Sequence, residues 1–211
     1  MHLAGTGTPP RVALTFDACD GRADLRILDL LFARNIAATI FVSGIWLRHN
    51  PDSFARLLAR PDLFEIGNHG ARHRAAIDRP EILWGVRSAG SEAGIAAEVS
   101  GGADLLVAAG APRPRWYRGA AALYTPGAMA QITGLGLRIA GFSLNGDQGA
   151  ALGAAAARAR ILGASDGAVI IAHINQPGRP AGAGVAAAVL ALQARGMGFV
   201  RLSDGPVTPA A

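Results

Sequence analysis

The chain has 211 residues, 51% of them hydrophobic, enough to bury one sizeable core with no need for a second domain. It carries a formal net charge of +5, and every basic residue apart from histidine is an arginine, with no lysine anywhere. That absence excludes a Schiff-base lysine, a pyridoxal-phosphate enzyme and a P-loop lysine. The arginines are scattered singly, which argues against a nucleic-acid-binding stripe.

Residues 1–10 read as an N-terminal extension without the charged and apolar regions of a signal peptide. The location is left open: periplasmic or secreted if a leader has been trimmed, otherwise cytoplasmic. No apolar run reaches the roughly 18 residues of a membrane span. Residues 12–16 are apolar strand formers and predict a buried strand. Asp17 and Asp20 follow at its end, and Gly21 permits a sharp turn. Carboxylates on that rim of a parallel sheet have two readings. One is a metal-ligand or general-base pair; the other is an Asp-Gly turn with a helix N-cap.

Residues 24–34 place Leu25, Leu28, Leu31 and Phe32 at helical spacing, and 36–42 are β-branched and apolar, a second strand. Residues 51–60 predict a helix opened by a proline. Residues 63–66 form a short strand running into Gly67-Asn-His-Gly-Ala-Arg-His73. Residues 80–86 and 91–110 read as helices, the second weakened by Gly101-Gly102. Strands are predicted at 115–117, ending at Arg118, at 137–144, ending near Asp147, at 168–172, ending at His173, and at 198–202. Helices are predicted at 126–135, 150–162 and 184–195, and a Pro/Ala tail follows Asp204.

Strands alternating with helices imply an α/β fold with a parallel sheet and right-handed crossovers. About seven such units suit a slightly small or incomplete β/α barrel. An open doubly wound sheet would call for a Gly-rich phosphate turn where Asp17-Ala-Cys-Asp20 stands.

The polar residues at the strand ends are Asp17 and Asp20, His69 and His73, Arg118, Asp147 and His173, all on one rim. His69 and His73 are four apart, so a helical turn at Gly70 would face both imidazoles one way, as chelation needs. A carboxylate from a neighbouring strand would complete a set of two histidines and one aspartate. Arg118 is the natural charge partner for Asp17. His173, ending an apolar run, is the best candidate for a general acid, with Asp147 to raise its pKa and fix its tautomer. Cys19, without a second cysteine, reads as a buried, inert thiol rather than a soft ligand or nucleophile.

Thr15-Phe-Asp-Ala-Cys-Asp-Gly21, Asn68-His-Gly-Ala-Arg-His73, Tyr117-Arg118, Asp147 and Ala172-His173 together resemble, in order, the motifs of the polysaccharide deacetylases, the NodB-homology domains of carbohydrate esterase family 4. The likeness runs from about residue 11 to residue 202, within a catalytic domain spanning 11–204. It implies a distorted β/α barrel, Asp17 as catalytic base, His69 and His73 as metal ligands, and Arg118 as the tether of the base. It further implies His173 as general acid and Asp147 as its support.

The chain also departs from the family's pattern. Ala18-Cys19 separates two aspartates that are adjacent in the family, which makes Asp20 the expected third ligand, with Asp24 as its substitute. Arg118-Gly-Ala-Ala-Ala-Leu-Tyr124 lacks the usual prolines, and His173-Ile-Asn-Gln-Pro177 offers an additional polar group in Asn175.

The expected function is metal-dependent hydrolysis of an amide C–N bond, N-deacetylation of an acetylated amino sugar or polysaccharide, with zinc as the default metal and cobalt as another. The expected partner is an acetylated carbohydrate or small amide, with no nucleic acid; oligomeric state is left open. The alternatives are a hydrolase of a small cyclic or ureido C–N bond, and a catalytically inactive carbohydrate-binding barrel.

Overall fold

The computed structural model describes residues 1–4 and 8–208. The chain enters through β1 (His2–Leu3) and then β2 (Arg11–Ala18), in which every residue from 12 to 18 is buried. That is the mark of a strand covered on both faces. Asp24 caps α1 (Leu25–Ala33), which buries Ile27, Leu28 and Leu31 against the sheet. The wholly buried β3 (Ala38–Val42) leads through a Ser43 cap into α2 (Gly44–His49), and Pro51 opens α3 (Pro51–Leu58).

After β4 (Phe64–Asn68) come a hairpin, β5 (Ile82–Leu83) and β6 (Val86–Arg87), and the long α4 (Glu92–Ala108). Next are β7 (Trp116–Tyr117), α5 (Pro126–Gly134), β8 (Arg138–Ile139), β9 (Leu144–Asn145) and α6 (Ala154–Leu162). The chain ends with β10 (Val169–His173), α7 (Ala181–Ala194), β11 (Gly198–Val200) and β12 (Val207–Thr208).

The main sheet runs β8-β7-β4-β3-β2-β10-β9, with every pair parallel, and β11 joins the amino-terminal half of β2. Its two edge strands, β8 and β9, are pieces of one segment. The sheet therefore curls into a half-barrel, and residues 140–143 bridge its edges. This is the distorted α/β barrel the alternation of elements implied.

Three local expectations differ. Residues 80–86 form a hairpin rather than a helix, because Trp84 (φ 50) and Gly85 (φ 83) both adopt the left-handed conformation of a two-residue hairpin turn. Residues 137–144 are two strands rather than one, because the carbonyls of Ala140 and Gly141 accept from the Arg118 guanidinium instead of joining a ladder. The ends also pack on the domain: His2–Leu3 pairs antiparallel with Val207–Thr208, and Met1 and Leu3 join a buried cluster with Trp116 and Leu202. No helix among the described residues is long and apolar enough to cross a membrane.

Candidate active site

Register brings the rim together. In the parallel pairings His173 lies opposite Asp17, and Asn68 lies opposite both Val42 and Tyr117. His69 and Arg118, the next residues along, therefore emerge side by side. Arg118 has no exposed surface, and it joins the parts. Its guanidinium donates to Asp17 Oδ1 at 2.9 Å, Thr15 Oγ1 at 3.0 Å and the Gly141 carbonyl at 3.0 Å, and lies 4.3 Å over the Phe41 ring. Burial pushes the Asp17 carboxyl up, but the charge of Arg118, followed by those of His69 and His173, holds it below its ordinary value.

The Arg118 backbone carbonyl also accepts from His69 Nδ1 at 2.5 Å. A carbonyl can only accept, so Nδ1 carries a proton in either charge state, and once His69 gives up its other proton the lone pair lies at Nε2. That nitrogen lies 3.4 Å from Cys19 Sγ and 3.8 Å from Asp17 Oδ2. Burial alone would lower the pKa of His69; Asp17 and Cys19 raise it to about 9.

His73 reaches the same place through a loop, not the helical turn the spacing suggested. Gly70 (φ 86) and His73 (φ 55) both take left-handed conformations, and the two rings stand with centroids 4.9 Å apart. The loop is held from outside by Glu98 of α4, whose buried carboxylate accepts from the Arg72 N–H at 2.9 Å and the Arg74 N–H at 3.0 Å. A Cβ on Gly102 would come within 2.3 Å of Asn68 Oδ1. The glycine that weakened the predicted helix is thus what lets α4 approach the loop. Glu98→Ala is expected to cost about 1–3 kcal/mol in urea unfolding by stranding two N–H donors, and to weaken divalent-metal binding as His73 loses its place.

The third donor beside the histidines is Cys19. Its Sγ and the ligand nitrogens of His69 and His73 all lie within 4.8 Å of one another. Burial raises the thiol's pKa; the charge of His69 and hydrogen bonds from His173, His69 and His73 bring it well below the ordinary value. One thiolate and two imidazoles suit zinc or cobalt. Asp20 stands apart on the exposed side of the chain, where it accepts from Asn175 Nδ2 at 3.2 Å. Asp24 is committed as the cap of α1 and to an ion pair with Arg26 at 2.6 Å. The signal that singles out Cys19 is its spacing, since residues 17 and 19 share one side of an extended chain and 20 does not.

On the other side of Asp17, His173 Nδ1 donates to Asp147 Oδ1 at 2.8 Å, and the His173 backbone N–H donates to Oδ2 at 2.7 Å. Burial works against charging His173, but the bonds to Asp147 and Cys19 carry its pKa well above the ordinary value. Tyr124 accepts from the Gly119 N–H at 2.9 Å, and burial pushes its hydroxyl up to about 12. Ala121 (φ 62) and Ala122 (φ 51), in the segment where the family's prolines are missing, are held in left-handed conformations at the cleft wall. Asn175 lines the same cleft, and its buried Oδ1 has no hydrogen-bond partner among the described residues. The cleft has a volume of about 1090 Å³, and Asp17, Cys19, His69, His73 and His173 all line it.

The family model described as polysaccharide deacetylase matches residues 4–140, a span holding the rim residues up to Arg118 but not Asp147 or His173. No curated protein matches the chain. Among solved structures, the chain is similar to BA3943 from Bacillus anthracis, described as a CE4 family pseudoenzyme, with 17% identity and a TM-score of 0.73 over 92% of this chain. The chain spans 64% of that protein's length. It is also similar to the peptidoglycan deacetylase PdaC from Bacillus subtilis (22% identity, TM-score 0.72, 92% of this chain and 88% of that one). A family 4 carbohydrate esterase from Streptomyces lividans, in complex with acetate, shares 20% identity at a TM-score of 0.70, over 95% of this chain and 98% of that one. At these identities the likeness is one of fold.

Proposed function

The chain belongs to the polysaccharide deacetylase family, and from that premise we propose that it is a metal-dependent hydrolase that removes the acetyl group from an acetylated amino sugar. The observation that carries this reading is the Cys19–His69–His73 donor cluster between an arginine-held carboxylate and a carboxylate-held imidazole. Cys19, His69 and His73 would hold the metal, zinc by default or cobalt, which when bound supplies Lewis acidity toward the acetamide carbonyl.

The chain's own groups do the rest. Arg118 occupies Asp17 Oδ1, so Oδ2 is the oxygen left to take the proton of the attacking water as the new C–O bond forms. Asp147 holds His173 Nδ1, so Nε2 presents the proton to the departing nitrogen as the C–N bond breaks. Acetate and a free amine leave, and the two protonation states are reset by solvent.

Two measurements test the reading together: acetate release from a panel of acetylated sugars, and the spectrum of the cobalt-loaded protein. A thiolate-to-cobalt charge-transfer band is expected in the near ultraviolet, absent in Cys19→Ala. Cys19→Asp should keep the metal and lose the band. Failure to bind zinc or cobalt at all would sink the metal-dependent reading. A second reading, Cys19 as a nucleophile paired with His69, draws on their 3.4 Å separation and the depressed thiol pKa. Acetate release that survives metal stripping and is blocked by iodoacetamide would select it.

A further inference from the structure

The two most exposed large apolar side chains among the described residues sit together in the β5–β6 hairpin: Trp84 is 82% exposed and Ile82 66%. The hairpin itself does not call for the indole. Its turn is Trp84-Gly85, both residues left-handed, and at the first of these positions asparagine is favoured and a bulky side chain disfavoured. An indole kept in water against the preference of its own turn points to something outside the chain that covers it.

The surroundings of the hairpin are basic. Arg87, which pairs with Ile82 across the hairpin, and Arg72 and Arg74 of the histidine loop line the cleft together with Trp84. Arg72 and Arg74 also line a second groove, of about 460 Å³, where Arg48 joins them. The carboxylates of these two surfaces are already committed. Asp17 is held by Arg118, Asp20 by Asn175, and Glu98 by the Arg72 and Arg74 backbone N–H groups. Among the described residues the guanidinium groups of Arg48, Arg72, Arg74 and Arg87 have no hydrogen bond or ion pair. Because Arg72 and Arg74 belong to both surfaces, four unpaired cations and two exposed apolar side chains share one continuous face.

We propose that this face docks on an anionic lipid bilayer, with Trp84 and Ile82 entering the boundary between headgroups and acyl chains and the four arginines meeting lipid phosphates. The combination selects the bilayer. A soluble polyanion would engage the arginines and leave the two apolar side chains in water. An apolar protein groove would take those side chains and leave the arginines unpaired. A membrane interface offers both layers at once. Docking of this kind lies on the membrane without a spanning helix, and it brings the cleft to the headgroup layer.

The test mixes the full chain with sucrose-loaded vesicles of phosphatidylcholine alone, or of an equimolar mixture with phosphatidylglycerol, and reads the bound fraction by sedimentation. Tryptophan emission is followed in parallel. Trp46 and Trp116 are buried, so a shift to shorter wavelength on adding vesicles reports Trp84 leaving water. The mixed vesicles should bind the protein and produce the shift, phosphatidylcholine alone should do neither, and added salt should weaken binding.

Trp84→Asn suits the turn better than the native residue and so keeps the hairpin; its partition coefficient should fall about tenfold with the loss of the indole. Arg72→Gln, Arg74→Gln and Arg87→Gln should each lower it about fivefold, the effect of one charge at an anionic surface. Glu98 holds backbone N–H groups rather than these side chains, so glutamine leaves the loop's support in place. Arg158→Gln on α6, which lines neither surface, should leave binding unchanged; an equal loss there would reduce the effect to net charge and overturn the proposal. Failure to sediment with the mixed vesicles, or equal binding to phosphatidylcholine alone, would overturn it too. If polyphosphate displaces the protein from vesicles that Trp84→Asn binds as tightly as wild type, the arginines serve a soluble polyanion and the bilayer reading falls.

Discussion

Arg118→Met is expected to destabilise the protein by about 3–5 kcal/mol, the cost of breaking a buried ion pair by removing one partner. The methionine fills much of the volume of the arginine's stem, so the loss falls on the groups the guanidinium met, the Phe41 ring among them. Asp17 keeps its charge with no exposed surface to speak of, while Thr15 Oγ1 and the Ala140 and Gly141 carbonyls lose their donor. Because those carbonyls belong to the segment that bridges the half-barrel's edges, the variant should also loosen residues 138–145, visible as faster amide exchange there.

The pH dependence carries its own sign. Asp17 has a folded pKa below its ordinary value. Its ion pair therefore contributes stability above the unfolded pKa of about 3.9, and that contribution is lost as pH falls through the folded value. In the variant, burial acts on Asp17 without its chief opponent and raises the pKa. The gap between wild type and Arg118→Met should thus narrow as pH falls toward 4. Asp17→Asn/Arg118→Met, which removes both charges, should recover part of the loss. A deficit under about 1 kcal/mol at neutral pH would show that Arg118 is not the group that keeps Asp17 ionised.

His173→Ala is expected to lower kcat by about 10²–10⁴-fold, the worth of general acid catalysis, with metal content unchanged. His173 must be protonated to act, and its pKa is raised by the bonds to Asp147 and Cys19. The basic limb of the pH–rate profile should therefore lie above the ordinary histidine value. Asp147→Asn keeps the shape of the contact and removes the charge, so that limb should move to lower pH. In His173→Ala the limb should vanish. A limb that persists there would pass the acid role to another group, and Tyr124 is next to test. Loss of metal in either variant would instead make the pair a support for the donor cluster.

What the sequence by itself determined is the order and type of the main strands and the identity of most residues on the rim. The reason is physical: a buried parallel strand reads as an apolar run, and the polar residue that ends it lies at the carboxyl rim wherever the strand goes. Asp17, His69, Arg118 and His173 were legible for that reason, and Asp147, two residues past β9, lies level with His173 by register.

That Cys19 rather than Asp20 stands beside the two histidines took the tertiary structure to see. Both follow β2 closely, and only the extension of the strand to Ala18 shows that the thiol, not the second carboxylate, shares Asp17's side of the chain. The supports of the site were also out of reach, because they are non-local. Glu98 meets the histidine loop across 24 to 26 residues, and the Arg118 guanidinium meets Asp17 across 101. Propensity counted Gly102 against its helix, whereas the packing shows it as the close approach that places Glu98. The 137–144 stretch has the composition of one strand, yet it is split, because closing a curled sheet requires one segment to serve both edges while a guanidinium takes the carbonyls between them.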